Sequence, residues 1–275
     1  MLTDSELAFY ARQLLLPHWD IESQLNLKNA SVMLIGMGGL GCPASEILAR
    51  AGVGRLTLVD DDIIEVSNLQ RQTLYAPKDI GQSKALTAKT ALTRINPHID
   101  VQAICQRLTA EKADELFGER LYELTKTDDV PDLLLDGSDN FATRYLLNRI
   151  SVEYGIPLLS ASAIGFSGQL ALFEPKKQTG CYACVFGASK VASDAETEND
   201  EGDNNNPANC ASSGVLASTT AVIGGLQANV ALQYLGRGIN PLRGKLLLWD
   251  GMSMSQKMMR YERNERCLVC GYQDE

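Results

Sequence analysis

Short apolar runs alternate with stretches of helical periodicity from the first predicted strand to Pro157. The apolar runs are 32–35, 56–59 and 133–135, and the stretches with apolar residues at helical spacing are 42–51, 82–95 and 140–154. Runs of this length are too short for buried helices, so we predict strands that are buried on both faces of a sheet. Strands that alternate with helices favour a mostly parallel, Rossmann-like sheet with helical crossovers.

The pattern changes after Pro157. Gly165, Gly168 and the alternating polar and apolar residues at 169–173 predict antiparallel strands rather than another helical crossover. Farther on, 215–235 predicts a long helix with many small residues, and 245–249 predicts another strand.

These patterns together predict an α/β fold in which a Rossmann-like, mostly parallel sheet is followed by a smaller antiparallel C-terminal half. We expect one domain over residues 1–275, with a nucleotide-binding half at about 25–160 and a second half at about 161–275. The segment at about 187–209 is rich in Asp, Glu, Asn and Ser and is predicted to be a mobile acidic loop.

Composition restricts the classes of partner. The chain has 275 residues, of which 45% are hydrophobic, and no apolar run approaches the ~18 residues that span a bilayer. We therefore expect a cytoplasmic protein that does not bind membranes. The net charge of -9 argues against nucleic acid as a partner, because phosphate binding needs a surplus of Lys and Arg. Much of that negative charge falls within 194–203, so the acidity belongs mainly to the predicted loop.

The first candidate site is a glycine-rich turn between a predicted strand and a predicted helix. Its glycines are Gly36, Gly38, Gly39 and Gly41. Such a turn lets the backbone approach phosphates at a helix N-terminus. Asp60 ends the next strand, where a carboxylate can accept hydrogen bonds from ribose hydroxyls.

The turn and Asp60 favour an adenine nucleotide, but two other interpretations stay open. The glycines could shape a tight turn and nothing more, with Asp60 capping the following loop. A dehydrogenase that binds NAD would use the same turn for a pyrophosphate.

Two cations follow this turn. Arg71 lies in the sequence Asn-Leu-Gln-Arg-Gln at 68–72, and Lys84 lies at the start of a predicted helix. Arg and Lys near a phosphate-binding turn suit a triphosphate, because they neutralise the charge that develops on the phosphates during attack at the α-phosphorus. Taken singly, each cation could also be a solvated surface charge.

A third strand end carries polar residues. Asp139 and Asn140 follow the apolar run at 133–135, at the edge of the sheet where open α/β folds bind ligands. A carboxylate there could hold Mg²⁺ on the phosphates. The two residues could instead cap the next helix.

Seven cysteines in a cytosolic protein favour metal binding or catalysis over disulfides. Cys181 and Cys184 form one Cys-x-x-Cys pair, and Cys267 and Cys270 form a second. Four thiolates suit one tetrahedral structural Zn²⁺, which would attach the C-terminal segment to the second half. Two redox motifs or buried free thiols are the alternatives.

The three other cysteines have less specific surroundings. Cys42, in the helix after the glycine turn, and Cys105, in an expected strand, are interpreted as packed thiols. Cys210 ends the acidic loop just before a predicted helix, whose N-terminus could lower the pKa of its thiol.

These motifs, in this order, resemble those of the ThiF/MoeB family, bacterial relatives of ubiquitin-activating enzymes. The resemblance runs from Tyr10 to Gly271. It implies an ATP and magnesium site made of Gly39, Asp60, Asn68, Arg71, Lys84, Asp139 and Asn140. We add Gln72 and the other turn glycines to this predicted site.

The resemblance also implies a reaction and partners. The enzyme would adenylate the C-terminal glycine of a small ubiquitin-like sulfur-carrier protein ending in Gly-Gly, of the ThiS or MoaD type. Thiamine and molybdopterin sulfur transfer both remain possible pathways, with sulfur supplied by a separate cysteine desulfurase or rhodanese-type donor.

Two residues gain specific roles from the resemblance. Arg12 matches an arginine that reaches into the active site of the neighbouring subunit, which implies a homodimer; it could also be a plain surface charge. Cys210 matches a loop cysteine that can link covalently to the activated carrier. A Rossmann dehydrogenase and a noncatalytic scaffold that recruits a ubiquitin-like partner are the competing functions.

Overall fold

A computed structural model describes residues 1–117, 130–187 and 214–271 of the chain. Its helices are α1 Asp4–Phe9, α2 Ala11–Leu14, α3 Ile21–Asn29, α4 Gly41–Ala51, α5 Lys84–Ile95, α6 Ala110–Phe117, α7 Phe141–Tyr154, α8 Tyr182–Phe186 and α9 Ala217–Arg237. Its strands are β1 Ser31–Ile35, β2 Arg55–Val59, β3 Asp100–Ile104, β4 Leu133–Asp136, β5 Leu158–Ile164, β6 Ser167–Phe173, β7 Lys245–Asp250 and β8 Ser255–Arg260.

The strands form one eight-stranded sheet in the order β3-β2-β1-β4-β5-β6-β7-β8. The strands from β3 to β5 pair in parallel, and those from β5 to β8 pair antiparallel. Every residue of β1 and of β4 is buried, as expected for central parallel strands covered on both faces. The predicted fold class, a mostly parallel sheet with an antiparallel C-terminal part, is confirmed.

The parallel part extends one strand farther than the sequence indicated. The first strand after Pro157 is β5. It pairs in parallel with β4, and helix α7 connects the two strands. The antiparallel part begins only with β6, whose alternating polar and apolar residues predicted an antiparallel strand. One continuous sheet therefore crosses the expected boundary near residue 160.

Helices cover both faces of the sheet. One apolar cluster joins the sheet to α3, α4, α5 and α9, and a second joins its other face to α6, α7 and α8. The small residues of α9 permit close packing, since a Cβ at Gly224 would lie 2.6 Å from Cγ of Pro43 in α4. No helix among the described residues has both the length and the apolar character needed to cross a membrane.

Candidate active site

A cavity of about 570 Å³ lies at the carboxyl ends of β1, β2 and β4. The residues predicted from sequence that line it are Gly36, Gly38, Gly39, Asp60, Asn68, Arg71, Gln72, Lys84, Asp139 and Asn140. The carboxyl edge of a parallel sheet is where open α/β folds bind ligands. Residues spread over more than 100 positions of the chain therefore meet in one place.

The glycine turn is constrained by its neighbours. Gly36 has φ +91°, and a Cβ on it would lie 2.8 Å from the carbonyl oxygen of Gly137, so only glycine fits against the turn after β4. Gly41 is not among the residues that line the cavity. A Cβ there would lie 2.0 Å from the carbonyl oxygen of Gly36, so Gly41 allows α4 to begin directly behind the turn.

Asp60 ties the end of β2 to this turn. Its Oδ2 accepts a hydrogen bond from the N–H of Met37 at 2.6 Å, and its Oδ1 accepts one from the N–H of Asp62 at 2.8 Å. Burial raises the pKa of Asp60, although both N–H bonds favour the ionised form. Each carboxylate oxygen has two lone pairs, so capping the loop and accepting a ribose hydroxyl are compatible.

Lys84 is the first residue of α5 and is almost entirely buried. Ser83 caps the helix by accepting a hydrogen bond from the N–H of Leu86. Helix α5 therefore begins two residues later than predicted. The Lys84 ammonium lies 2.7 Å from Oδ2 of Asp62, whose side chain is 64% exposed. A bound triphosphate would compete with this exposed carboxylate for the ammonium group.

Arg71 also lies against the glycine turn. Its Nη1 donates to the carbonyl oxygen of Ser67 at 3.0 Å. A Cβ on Gly39 would lie 3.3 Å from Cδ of Arg71 and 3.0 Å from Cγ2 of Thr220. The side chain of Arg71 therefore passes close to the backbone of Gly39.

Two buried amides border the cavity on the Arg71 side. Asn68 Oδ1 accepts from the N–H of Glu65 at 3.1 Å, which fixes the turn before Arg71. Oε1 of Gln72 is buried and has no hydrogen-bond partner within the described part of the chain. Because buried polar atoms are normally paired, this oxygen suits a site completed by a bound molecule.

The turn after β4 presents Asp139 and Asn140 to the cavity. Asn140 Oδ1 accepts from the N–H of Thr143 at 2.9 Å and so caps α7, one of the interpretations left open. Asp139 is exposed. Its carboxylate is thus available to a ligand, whereas the side chain of Asn140 serves the helix.

Sequence reasoning missed a buried polar network under this turn. Asp136, the last residue of β4, is fully buried, and Arg144 of α7 lies beside it and lines the cavity. Asp62 and Thr220 also line the cavity without having been predicted. The aspartate-rich stretch at 60–62 could have suggested Asp62, but no local pattern distinguishes Arg144 or Thr220 from ordinary helix residues.

The four paired cysteines form a second candidate site. The Sγ atoms of Cys181, Cys184, Cys267 and Cys270 all lie within 4.8 Å of one another. The distances are 3.8 Å for Cys181–Cys184, 3.7 Å for Cys181–Cys267 and 3.4 Å for Cys184–Cys270. These separations exceed the ~2.05 Å of a disulfide. The cluster joins the C-terminal segment to α8, as the spacing predicted.

The remaining cysteines differ from one another. Cys42 is a packed thiol as predicted, and burial raises its pKa to about 12. The prediction that Cys105 is packed is wrong, because β3 ends at Ile104 and Cys105 is exposed beyond it. Cys210 and the acidic loop at 188–209 lie outside the described residues.

Arg12 lies on α2, is exposed and is not among the residues that line the cavity of its own chain.

The model of the ThiF family matches residues 10–269. The chain belongs to the ThiF family. The resemblance inferred from its motifs is thereby confirmed over nearly the whole sequence.

Curated members of the ThiF family match this chain along almost its full length. A sulfur carrier protein adenylyltransferase of Thermus thermophilus is 40% identical, covering 98% of this chain and 92% of the relative. A molybdopterin-synthase adenylyltransferase of Salmonella typhimurium is 37% identical, covering 98% of each chain. The sulfur carrier protein ThiS adenylyltransferase of Escherichia coli is 38% identical, covering 98% and 97%.

Solved structures agree with this ThiF-family fold. Escherichia coli MccB in complex with AMPCPP and MccA has a TM-score of 0.75 and 26% identity, covering 96% of this chain and 74% of MccB. MccB with ATP has a TM-score of 0.71 and 26% identity, covering 91% of this chain and 69% of MccB.

Proposed function

We propose that this protein is an ATP-dependent adenylyltransferase that activates the C-terminal glycine of a ubiquitin-like sulfur carrier. The observation that carries the proposal is the single cavity in which a glycine turn, Asp60, two cations and an exposed carboxylate meet. The relatives named as adenylyltransferases for sulfur carriers and molybdopterin synthase support the choice of substrate.

The proposed reaction transfers AMP from ATP to the carrier. A carboxylate oxygen of the carrier's terminal glycine attacks the α-phosphorus of ATP and forms a P–O bond. The bond between that phosphorus and the oxygen bridging to the β-phosphate breaks, and its electron pair leaves with pyrophosphate. The attacking carboxylate is already ionised, so no general base is needed. Lys84 and Arg71 would stabilise the charge gathering on the phosphates.

Asp139 is the residue best placed to hold a magnesium ion on the phosphates. It is an exposed carboxylate at the cavity, and oxygen ligands from one or two carboxylates and the substrate phosphates are what Mg²⁺ prefers. When bound, the ion would neutralise phosphate charge and favour departure of pyrophosphate. The remaining nucleotide contacts are assigned to the glycine turn, Asp60, Asn68 and Gln72.

The four-cysteine cluster fits a structural Zn²⁺. Four thiolates at ~2.3 Å from a tetrahedral zinc lie ~3.8 Å apart, close to the 3.4–3.8 Å separations between the Sγ atoms. All four positions would then be occupied by protein ligands, so the ion would stabilise the fold rather than take part in adenylation. Thiolate ligands also agree with a reducing compartment such as the cytoplasm.

Partners complete the proposal. We assign the carrier to the ThiS or MoaD type, ending in Gly-Gly, and the second half of the chain to carrier binding. A separate desulfurase or rhodanese-type donor would convert the adenylate to a thiocarboxylate in thiamine or molybdopterin synthesis. Arg12 is exposed and does not line the cavity of its own chain, which suits the assigned role in a homodimer partner's site. Cys210 keeps its proposed role as a site of covalent linkage to the carrier.

Pyrophosphate exchange into ATP tests this function. We expect labelled pyrophosphate to enter ATP when the protein, Mg²⁺ and either a ThiS-type or a MoaD-type carrier are present. A carrier that lacks its last glycine should give no exchange, because the attacking carboxylate is displaced. No exchange with either intact carrier, together with tight NADH binding, would favour the dehydrogenase. ATP-independent carrier binding that is unaffected by Arg71→Ala would favour the scaffold.

A further inference from the structure

Asp136 is a buried carboxylate at the end of β4, behind the adenylation cavity. None of its surface is exposed. Its Oδ1 accepts the N–H of Ser138 at 3.0 Å and the hydroxyl of Ser138 at 2.6 Å, and its Oδ2 accepts the hydroxyl of Ser160 at 2.7 Å. A carboxylate withdrawn from water is tolerated only with such hydrogen bonds or a counter-charge.

The counter-charge comes from Arg144 on α7. Its Nε lies 4.0 Å from Oδ2 of Asp136, and the side chain of Arg144 is only 7% exposed. Nη2 of the same guanidinium donates to the carbonyl oxygen of Ser138 at 2.8 Å. Ser138 is therefore held on its N–H and hydroxyl by Asp136 and on its carbonyl by Arg144.

Ser138 connects this network to both sides of the adenylation cavity. It directly precedes Asp139, the carboxylate to which we assign the magnesium ion. The preceding residue, Gly137, lies against the glycine turn, where a Cβ on Gly36 would be 2.8 Å from its carbonyl oxygen. A shift of the backbone at Ser138 would thus change the position of Asp139 relative to the nucleotide-binding turn.

We propose that Arg144 is a positioning residue for adenylation, which holds the Ser138–Asp139 turn at the distance from the glycine turn that the reaction requires. This inference rests on the proposed function. Arg144 acts through Ser138 and Asp139, because its guanidinium donates to the Ser138 carbonyl and lies 4.0 Å from the Asp136 carboxylate. The shape of the guanidinium matters as well as its charge, since a compact Lys ammonium would not place donors at both the Ser138 carbonyl and the Asp136 side of the turn in the same way.

Arg144→Lys is the main test, with the ATP dissociation constant measured by calorimetry and the turnover number by carrier-dependent pyrophosphate exchange. The carrier is the ThiS-type or MoaD-type protein that supports faster exchange by the wild type. We expect the turnover number to fall at least ~10-fold while the ATP dissociation constant changes less than ~3-fold, because a misplaced group near the reacting atoms costs rate more than binding.

A matched pair of serines separates positioning from stability. Ser160→Ala removes the hydrogen bond to Asp136, and Ser151→Ala removes an equally buried bond, 2.6 Å to the carbonyl of Ile156, at the far end of α7. Both should lower the melting temperature, Ser160→Ala somewhat more because its acceptor is a carboxylate. Only Ser160→Ala should lower the turnover number, by roughly 3-fold, because only it loosens the turn at Asp139. This pair decides the question if Arg144→Lys does not fold.

A double-mutant cycle tests whether Arg144 acts through Asp139. In the Asp139→Asn background, Arg144→Lys should cost less than ~3-fold further in turnover, because the group it positions has been changed. Full additivity of the two effects would overturn the inference. Wild-type turnover per folded molecule in Arg144→Lys would also overturn it. If Arg144→Lys does not fold, wild-type turnover in Ser160→Ala would overturn it instead. Absence of exchange in the wild type would instead refute the proposed function itself.

Discussion

Oδ2 of Asp60 accepts a hydrogen bond of 2.6 Å from the backbone N–H of Met37, so the acid that follows β2 fixes the glycine turn that follows β1. The second oxygen of the carboxylate accepts from Asp62 at 2.8 Å. Under the proposed function, ribose binding and the shape of the phosphate-binding turn would therefore depend on the same side chain.

Asp60→Ala should weaken ATP binding at least ~10-fold and lower the free energy of unfolding by about 1–3 kcal/mol, because backbone N–H groups lose their acceptor. Calorimetry and chemical denaturation measure the two quantities. The control is Asp100→Ala. Asp100 is the first residue of β3, at the end of the strand away from the cavity, so this variant should leave ATP binding unchanged. Wild-type ATP affinity in Asp60→Ala would contradict the role given to this acid.

Lys84→Ala should reduce carrier-dependent exchange by ~100-fold or more, because a preorganised charge next to the phosphates is lost. Lys89→Ala is the matched control, since Lys89 is an exposed lysine on the same helix. We expect exchange by the control to stay within ~2-fold of the wild type, because an exposed charge outside the cavity contributes little. Equal losses in the two variants would mean that Lys84 has no special relation to the phosphates.

Cys267→Ser should lower the zinc content well below one equivalent per chain and decrease the melting temperature. Removing one of four thiolates opens a structural site and weakens metal binding, which contributes directly to folding. Cys105→Ser, at an exposed cysteine outside the cluster, should retain the metal. Elemental analysis of the two purified variants provides the comparison, and equal metal contents would exclude the cluster as the zinc site.

Glu6 predicts a pH dependence of stability at acid pH. Burial alone would raise the pKa of Glu6, but hydrogen bonds from Lys28 and Thr3 outweigh it and lower the pKa to about 2, against 4.5 for the free side chain. A depressed pKa in the folded state gives stability that is present above pH 4.5 and lost as pH falls toward 2.

Glu6→Gln should therefore be less stable than the wild type at pH 7, and the difference in melting temperature should shrink between pH 4.5 and 2. Thermal melts of both proteins over this range measure it. A constant difference at every pH would show that the Glu6–Lys28 pair makes no contribution through its charge.

The central strands could be predicted because burial on both faces leaves a continuous apolar run. β1 and β4 are buried at every position, and their runs stand out in the sequence. The edge strand β8 is exposed at all six positions and carries no such pattern. Partial exposure likewise obscures β3, for which we expected a strand around Cys105 without bounds, so the strands at both edges of the sheet were predicted poorly or not at all.

The candidate site divides in the same way. Glycines, strand-end acids and cysteine pairs have local signatures, because backbone conformation or metal geometry demands those residue types at fixed spacing. The contact of Arg144 with Asp136 depends on how α7 packs beside β4, which no local pattern encodes. Exposure of Cys105 depended on where an edge strand ends, and that boundary is set by tertiary contacts.

The mass of the carrier after reaction tests the central claim most directly. The intact ThiS-type or MoaD-type carrier is incubated with ATP, Mg²⁺ and the protein, and the product is examined by mass spectrometry without reductant or added sulfur donor. We predict a gain of one AMP group at the C-terminal glycine, absent from a carrier lacking that glycine and formed far more slowly by Lys84→Ala. Tight carrier binding and ATP binding with no AMP on either carrier would contradict the account.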